Sequence, residues 1–283
     1  MNGNGVGEVA WRNIVVFIAL ALGLCLGSNL LVKRGADPLL QVVAVYSPLL
    51  AALIVRKVVA REGFADAHLG IRGVKARYWV LAALLPLSWN TSTDLFDVLS
   101  GSCVLHADAL VSSLPRVLRA LPGVALFLVG EELGWRSYLV EKLRPAGPVA
   151  AFVICGLVWF SWHPNVWFGE SATLRHGLTF FIGVMCFSFI FGWLYYASGS
   201  VWPCLAMHVF NNVAPSQIKG ALTCVPVKPV LSDVATILPL LLTVLVLWRV
   251  GAFSRDASTP CSGGTRSTSP GRLAHLAARG EDL

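Results

Sequence analysis

The chain has 283 residues, of which 56% are hydrophobic and only 13% charged, and its mean hydropathy is +0.70. Ordinary soluble domains carry roughly a quarter charged residues, so a water-soluble fold is excluded and the lipid bilayer is the expected solvent. The formal net charge of +7 resides on Lys and Arg beside apolar runs, which favours a membrane surface and argues against a nucleic-acid partner.

A membrane-spanning helix needs about 20 mainly apolar residues. Runs of that kind predict spans near 11–32, 38–55, 78–93, 115–141, 149–166, 178–197, 201–215 and 233–250, which makes the fold class an all-α, polytopic transmembrane helical bundle of about eight helices. The first run continues from Trp11 to Val32 before Lys33 and Arg34, with no small-residue cleavage site, so it reads as a retained span. The third and seventh are short or carry Pro86 and Pro203, which leaves seven as the alternative count, and Pro122 is placed to kink the fourth. Residues 1–253 read as one multi-pass membrane domain with its core motifs within 115–215. From Ser254 the composition turns to Ser, Thr, Gly, Pro and Arg, too polar to offset the entropy of ordering, so 254–283 reads as a disordered cytoplasmic tail. No internal repeat of the kind found in inverted-topology transporters is present.

The basic residues orient the bundle. Arg56, Lys57, Arg61, Arg72, Lys75 and Arg77 gather in the 56–77 loop, and cytoplasmic loops collect such residues. Alternation then sets Lys142, Arg144, Arg249 and the tail on the same side, so both termini are expected in the cytoplasm, with the cell (inner) membrane as the location if the source is bacterial. The 94–114 loop falls outside, with Asp94, Asp97 and Asp108 and no Lys or Arg assigned to it. Lys33, Arg34, Lys219 and Lys228 also fall outside and weaken the bias without reversing it. The seven cysteines form no C-x-x-C pair, and Cys25, Cys155, Cys186 and Cys204 lie in apolar runs, which argues against cysteine-bound zinc. Cys103 and Cys224 fall in predicted outer loops and are expected to pair if that compartment is oxidising.

Charged side chains inside a bilayer cost at least about 2.5–3.5 kcal/mol each, so those that persist tend to be paired and functional. Glu131, Glu132 and Arg136 stand in Val129-Gly130-Glu131-Glu132-Leu133-Gly134-Trp135-Arg136 of the fourth span. On a helix, Glu132 and Arg136 share a face and can form a salt bridge, while Glu131 points about 100° away. A structural ion pair between helices accounts for Glu132 and Arg136. It leaves Glu131 over, and a desolvated carboxylate is what a general base requires.

His163 follows in Trp159-Phe160-Ser161-Trp162-His163-Pro164 of the fifth span, where a lone His is more often a packing residue than a catalyst. His208 and Asn212 share a face in His208-Val209-Phe210-Asn211-Asn212 of the seventh and suit interhelical hydrogen bonding. Depth makes the three sites informative together. At a rise of about 1.5 Å per residue, Glu131 lies about 16 Å above Lys142, His163 about 21 Å above Val149 and His208 about 12 Å above Ser200, so all three reach the region of the bilayer midplane. His68, His106, His176 and His275 fall in loops or the tail and are assigned no chemistry.

In this order the motifs E-E-x-x-x-R (Glu131, Glu132, Arg136), aromatic-x-x-x-H (Trp159, His163) and H-x-x-x-N (His208, Asn212) resemble those of the CPBP intramembrane proteases. That family includes the type II CAAX prenyl endopeptidases and the bacteriocin-processing and immunity proteins also called Abi. The resemblance covers roughly 70–215 and departs at Trp159, where the family pattern has Phe. It implies an intramembrane endopeptidase acting on a membrane-associated protein or peptide. Glu131 and His163 would activate a water, His208 and Asn212 would stabilise the oxyanion, and Glu132 and Arg136 would orient Glu131. The family is labelled metalloprotease, and Glu131, His163 and His208 resemble a His₂Glu zinc set, but no H-E-x-x-H helix preorganises them. The expectation is that no cofactor is required, with zinc as the alternative. The competing functional readings are a non-catalytic immunity or scaffold protein of the same fold and a proton-coupled transporter.

Overall fold

The computed structural model describes residues 8–164, 166, 173–219, 221–225 and 229–254. The described residues form eight α-helices: α1 (Trp11–Lys33), α2 (Leu40–Ile54), α3 (Ala76–Leu99), α4 (Ala107–Gly134), α5 (Pro148–Ser161), α6 (Leu174–Ser198), α7 (Trp202–Lys219) and α8 (Pro229–Arg249). α2 and α4 each run on into a π-helical turn, Val55–Val59 and Trp135–Val140. Two short antiparallel strands, β1 (Cys103–Leu105) and β2 (Leu222–Cys224), pair outside the helices. Beyond Ser254, the expected tail lies outside the described residues.

Among the described residues, five helical stretches are long and apolar enough to cross a membrane: Trp11–Lys33, Leu40–Val59, Ala107–Val140, Leu174–Ser198 and Val230–Arg249. Leu30, Leu126, Phe127, Leu241 and Val246 stand exposed on these stretches, whereas Glu131, Glu132, Arg136 and His208 are buried. An apolar exterior around a charged interior inverts the soluble pattern and is stable in hydrocarbon. The chain is an integral, multi-pass membrane protein built as a helical bundle.

Some predicted boundaries are corrected. The segment 94–114 is not an extended loop, because α3 runs to Leu99, β1 follows, and α4 begins at Ala107. Asn90, Ser92 and Thr93 lower the hydropathy of α3 without ending it, since each side chain bonds the carbonyl one turn back: Asn90 to Pro86 (2.8 Å), Ser92 to Ser88 (2.7 Å) and Thr93 to Trp89 (3.0 Å). The predicted span 149–166 is helical only to Ser161 before a turn at Trp162, so His163 lies just beyond the end of α5.

α1 packs along α2, α2 along α4, α4 along α7, and α7 along α3; α5 pairs with α6, which also meets α8. The α2–α4 contact depends on glycine. A Cβ on Gly134 would lie 2.3 Å from Pro48 Cβ and 2.6 Å from the Pro48 carbonyl carbon, and one on Gly130 would lie 2.9 Å from Tyr46 Cδ1. Gly130 and Gly134 have the small-x-x-x-small spacing that lets membrane helices approach closely. They flank Glu131 and Glu132, so the same contact sets the position of both carboxylates along the bundle.

The two ends of the bundle are tied differently. At one end, buried Arg56 donates from Nη1 to Glu62 Oε1 (3.1 Å), the Gly63 carbonyl (2.8 Å) and Asp66 Oδ1 (2.7 Å). Lys142 Nζ reaches Glu62 at 2.7 Å and Asp66 at 2.8 Å, and Glu141 pairs with Arg144 at 2.7 Å. The basic 56–77 loop and Lys142 thus meet at one end, as the alternation of spans requires. At the other end of α3 and α4, Cys103 and Cys224 form the expected disulfide within the β1–β2 ribbon.

Burial alone would raise the Asp66 carboxyl, but hydrogen bonds and charge from Arg56 and Lys142 outweigh it and hold the group below its ordinary range. Glu141 is lowered in the same way, with His68 and Arg144 outweighing burial. A carboxylate depressed on folding contributes stability that is present above its unfolded value of about 4 and is lost as pH falls through the folded value. The thermal midpoint in detergent is therefore expected to hold steady between about pH 7 and pH 5 and to drop below about pH 4, with Asp66→Asn flattening the drop. Gly134→Ala is expected to destabilise by at least about 1–3 kcal/mol, read as a lowered thermal midpoint. Gly123→Ala, whose Cβ meets nothing within 4 Å, serves as the near-neutral control.

Candidate active site

The site is built from the last turn of α4 outward. Glu132 is fully buried, and its Oε1 accepts two hydrogen bonds, from Arg136 Nη1 at 3.0 Å and from His208 Nδ1 on α7 at 2.7 Å. Arg136 sits in the π-helical turn that begins at Trp135, a local widening frequent at functional sites. Carbonyls of that turn take donors from other segments: Ser137 O from Arg56 Nη2 (3.4 Å) and Val140 O from the Tyr196 hydroxyl (3.0 Å). The predicted pairing of Glu132 with Arg136 survives the widening.

Arg136 is itself 0% exposed, with its guanidinium carbon 4.3 Å from the Trp159 ring centroid and 4.7 Å from that of Phe191. Its Nε and Nη2 have no hydrogen-bond partner among the described residues. The two aromatic faces stabilise the cation in their place. α4, α5 and α6 therefore each contribute a side chain to one buried charge, and α7 joins them through the bond from His208 to Glu132.

Glu131 stands apart from that pair. It is 4% exposed, and its Oε2 accepts from the indole Nε1 of Trp159 at 2.9 Å. The backbone carbonyl of Trp159 in turn accepts from His163 Nδ1 at 2.7 Å. A carbonyl can only accept, so Nδ1 carries the hydrogen and, in the neutral ring, Nε2 is left as the basic nitrogen. The Trp159 ring links the two imidazoles, its centroid 6.2 Å from that of His163 and 5.5 Å from that of His208. The rings of Trp162 and Phe180 pack on His163 at 5.1 and 4.8 Å, and Trp162 is anchored by its indole N–H to Ser47 Oγ on α2 at 2.8 Å.

The structure thus gathers Glu131, Glu132, Arg136, His163 and His208 around Trp159. Asn212 lies on α7 one turn beyond His208; it is exposed, and its Oδ1 accepts from Asn211 Nδ2 at 3.3 Å. Its neighbour Asn211 receives the Trp89 indole N–H at 2.9 Å. The residue that sequence reasoning passed over is Trp159, noted only as a departure from the family's Phe although its N–H was the available signal. Among the described residues, no group of three His, Cys, Asp or Glu side chains converges to hold a metal ion. Each zinc candidate has one atom committed, Glu131 Oε2 to the Trp159 indole, His163 Nδ1 to the Trp159 carbonyl and His208 Nδ1 to Glu132, while Glu131 Oε1 and the two Nε2 atoms take no part in these bonds.

Glu and His side chains buried and hydrogen-bonded inside an apolar bundle fit an intramembrane catalytic site. Residues 113–214 match the family model of the type II CAAX prenyl endopeptidase Rce1-like proteins. That stretch contains all three motifs and is the part of the chain that is similar to that family. No curated protein matches the chain.

Removing one member of a buried ion pair strands the other, at about 3–5 kcal/mol. Arg136→Met is accordingly expected to lower stability by that amount in thermal unfolding in detergent. Arg136→Lys keeps a charge but loses the planar stack and should recover only part of it.

Proposed function

We propose that the chain is an intramembrane endopeptidase that hydrolyses a peptide bond of a membrane-associated substrate. One observation carries this reading: Glu132 is matched to Arg136 and His208, while the second buried carboxylate, Glu131, is held by a neutral indole N–H alongside His163. A structural ion pair needs one carboxylate, and the other is available for chemistry.

In this mechanism a water bonds to Glu131 Oε1 and His163 Nε2, both acceptors. Its oxygen attacks the scissile carbonyl carbon as its proton passes to Glu131. His208, oriented by Glu132 at Nδ1, donates from Nε2 to the developing oxyanion, and Asn212 assists when substrate draws it in. Such donors in a water-poor site supply several kcal/mol, on the order of 3 each. Collapse of the tetrahedral intermediate breaks the C–N bond, and Glu131 returns the proton to the leaving amine. Glu132 and Arg136 position His208 and the end of α4. The donors read most simply as a glutamate-activated water with no resident metal.

The basic 56–77 end is assigned to the cytoplasm, supported by the positive-inside bias and by the disulfide at the opposite end. Both termini then lie in the cytoplasm, and residues 1–253 act as one membrane domain.

Comparative peptidomics of membranes carrying wild-type or Glu131→Ala protein tests the reading and identifies the substrate. Glu131→Ala and His163→Ala are each expected to reduce cleavage at least about a hundredfold while insertion is unchanged, and cleavage by purified protein should survive exhaustive chelation. Membranes whose peptides do not differ between wild type and Glu131→Ala would point to a non-catalytic role, and activity lost on chelation and restored by stoichiometric zinc would make the enzyme a metalloprotease.

A further inference from the structure

Trp159 occupies the position where the family motif has Phe, and here it touches nearly every group of the site. Its indole N–H donates to Glu131 Oε2 at 2.9 Å, its ring face covers Arg136 at 4.3 Å, and its ring meets His208 edge-on at 5.5 Å. It is 3% exposed, so water does not compete for the N–H. A phenylalanine in the same place would keep an aromatic face and the backbone carbonyl that holds His163, and would lose the donor to Glu131 together with one ring of the indole.

We propose that Trp159 is a positioning residue whose indole N–H pins one oxygen of Glu131 and so directs the other toward the reacting water. This rests on the endopeptidase reading above. The physical case is that a buried carboxylate needs a partner, and the choice of partner decides what remains of its reactivity. A guanidinium would supply a full positive charge and commit the carboxylate to an ion pair, which is the situation of Glu132. An indole N–H offers a single, directional hydrogen bond without a formal charge. It fixes the carboxylate plane and leaves the second oxygen able to take a proton. The aromatic face of the same side chain stabilises Arg136, which keeps the cation on Glu132 and away from Glu131. One residue thereby separates the two adjacent carboxylates into a structural member and a reactive one.

The test compares wild type, Trp159→Phe and Glu131→Ala on the substrate that membrane peptidomics identifies, with kcat expressed per folded molecule. Trp159→Phe is expected to lower kcat about tenfold or more, the scale of one hydrogen bond to a charged group, while KM stays within about twofold. An unchanged kcat per folded molecule, or a change confined to KM, overturns the proposal. If Trp159→Phe does not fold, benzothienylalanine at the same position removes the N–H with the ring shape intact, and the same criteria apply. A second readout needs no substrate. In a double-mutant cycle of Trp159→Phe with Glu131→Ala, the shifts in thermal midpoint are expected to be non-additive, and additive shifts overturn the contact. Glu131→Ala separates the two levels. If it still cleaves, the role given to Glu131 fails and that of Trp159 with it; if it is inactive and Trp159→Phe is not impaired, only the role of Trp159 fails.

Discussion

Arg136 is a cation buried wholly inside the bundle, and the interior is organised by that fact. A guanidinium taken out of water loses several kcal/mol or more of hydration, which Coulombic attraction repays only with good geometry and further contacts. Here the compensation comes from Glu132 on the same helix, which itself accepts from His208 on α7, and from the ring faces of Trp159 on α5 and Phe191 on α6. No one of these four helices can slide or turn without exposing a charge to hydrocarbon. The arrangement acts as a register for the bundle, and the apolar contacts fill in around it.

Apolar packing sets the position of that register. Gly130 and Gly134 bring α4 against Tyr46 and Pro48 of α2, and a helix held that closely cannot rotate. α4 is also tied at both ends, by the Cys103–Cys224 ribbon before it and by the Arg56, Asp66 and Lys142 network after it. The carboxylates lie between these fastenings. Positional precision matters more for a catalytic carboxylate than for a packing residue, because a small displacement from the reacting atoms is expensive in rate.

Two adjacent acidic residues in one low-dielectric site would ordinarily repel each other and compete for the same cation. The bundle resolves this by helical geometry and by partner chemistry. The offset between successive residues on a helix sends Glu132 toward Arg136 and His208 and Glu131 toward α5. The partners then differ in kind, a charge for one and a neutral N–H for the other. His163 is oriented by the backbone of the same tryptophan, so Glu131 and His163 are anchored to a single residue. A site assembled in this way fits water activation, since two acceptors close together favour a donor between them.

The class of protein was legible in the sequence because hydrocarbon is an unforgiving solvent: composition and apolar run length suffice to require a helical membrane bundle, and charges inside such runs mark themselves out. The Glu132–Arg136 pair was legible too, since a spacing of four residues on a helix is a local property, as was the opposition of the basic and cysteine-bearing ends. What the linear order does not contain is which helices meet. The link from His208 to Glu132, the aromatic sandwich around Arg136 and the indole bond to Glu131 all join residues far apart in the chain. The same holds for the true length of α3, whose polar side chains satisfy themselves on their own backbone and so conceal a helix from a hydropathy scale. Local spacing and solvent preference are written residue by residue; partner choice in a buried site depends on three-dimensional proximity, and only the folded bundle decides it.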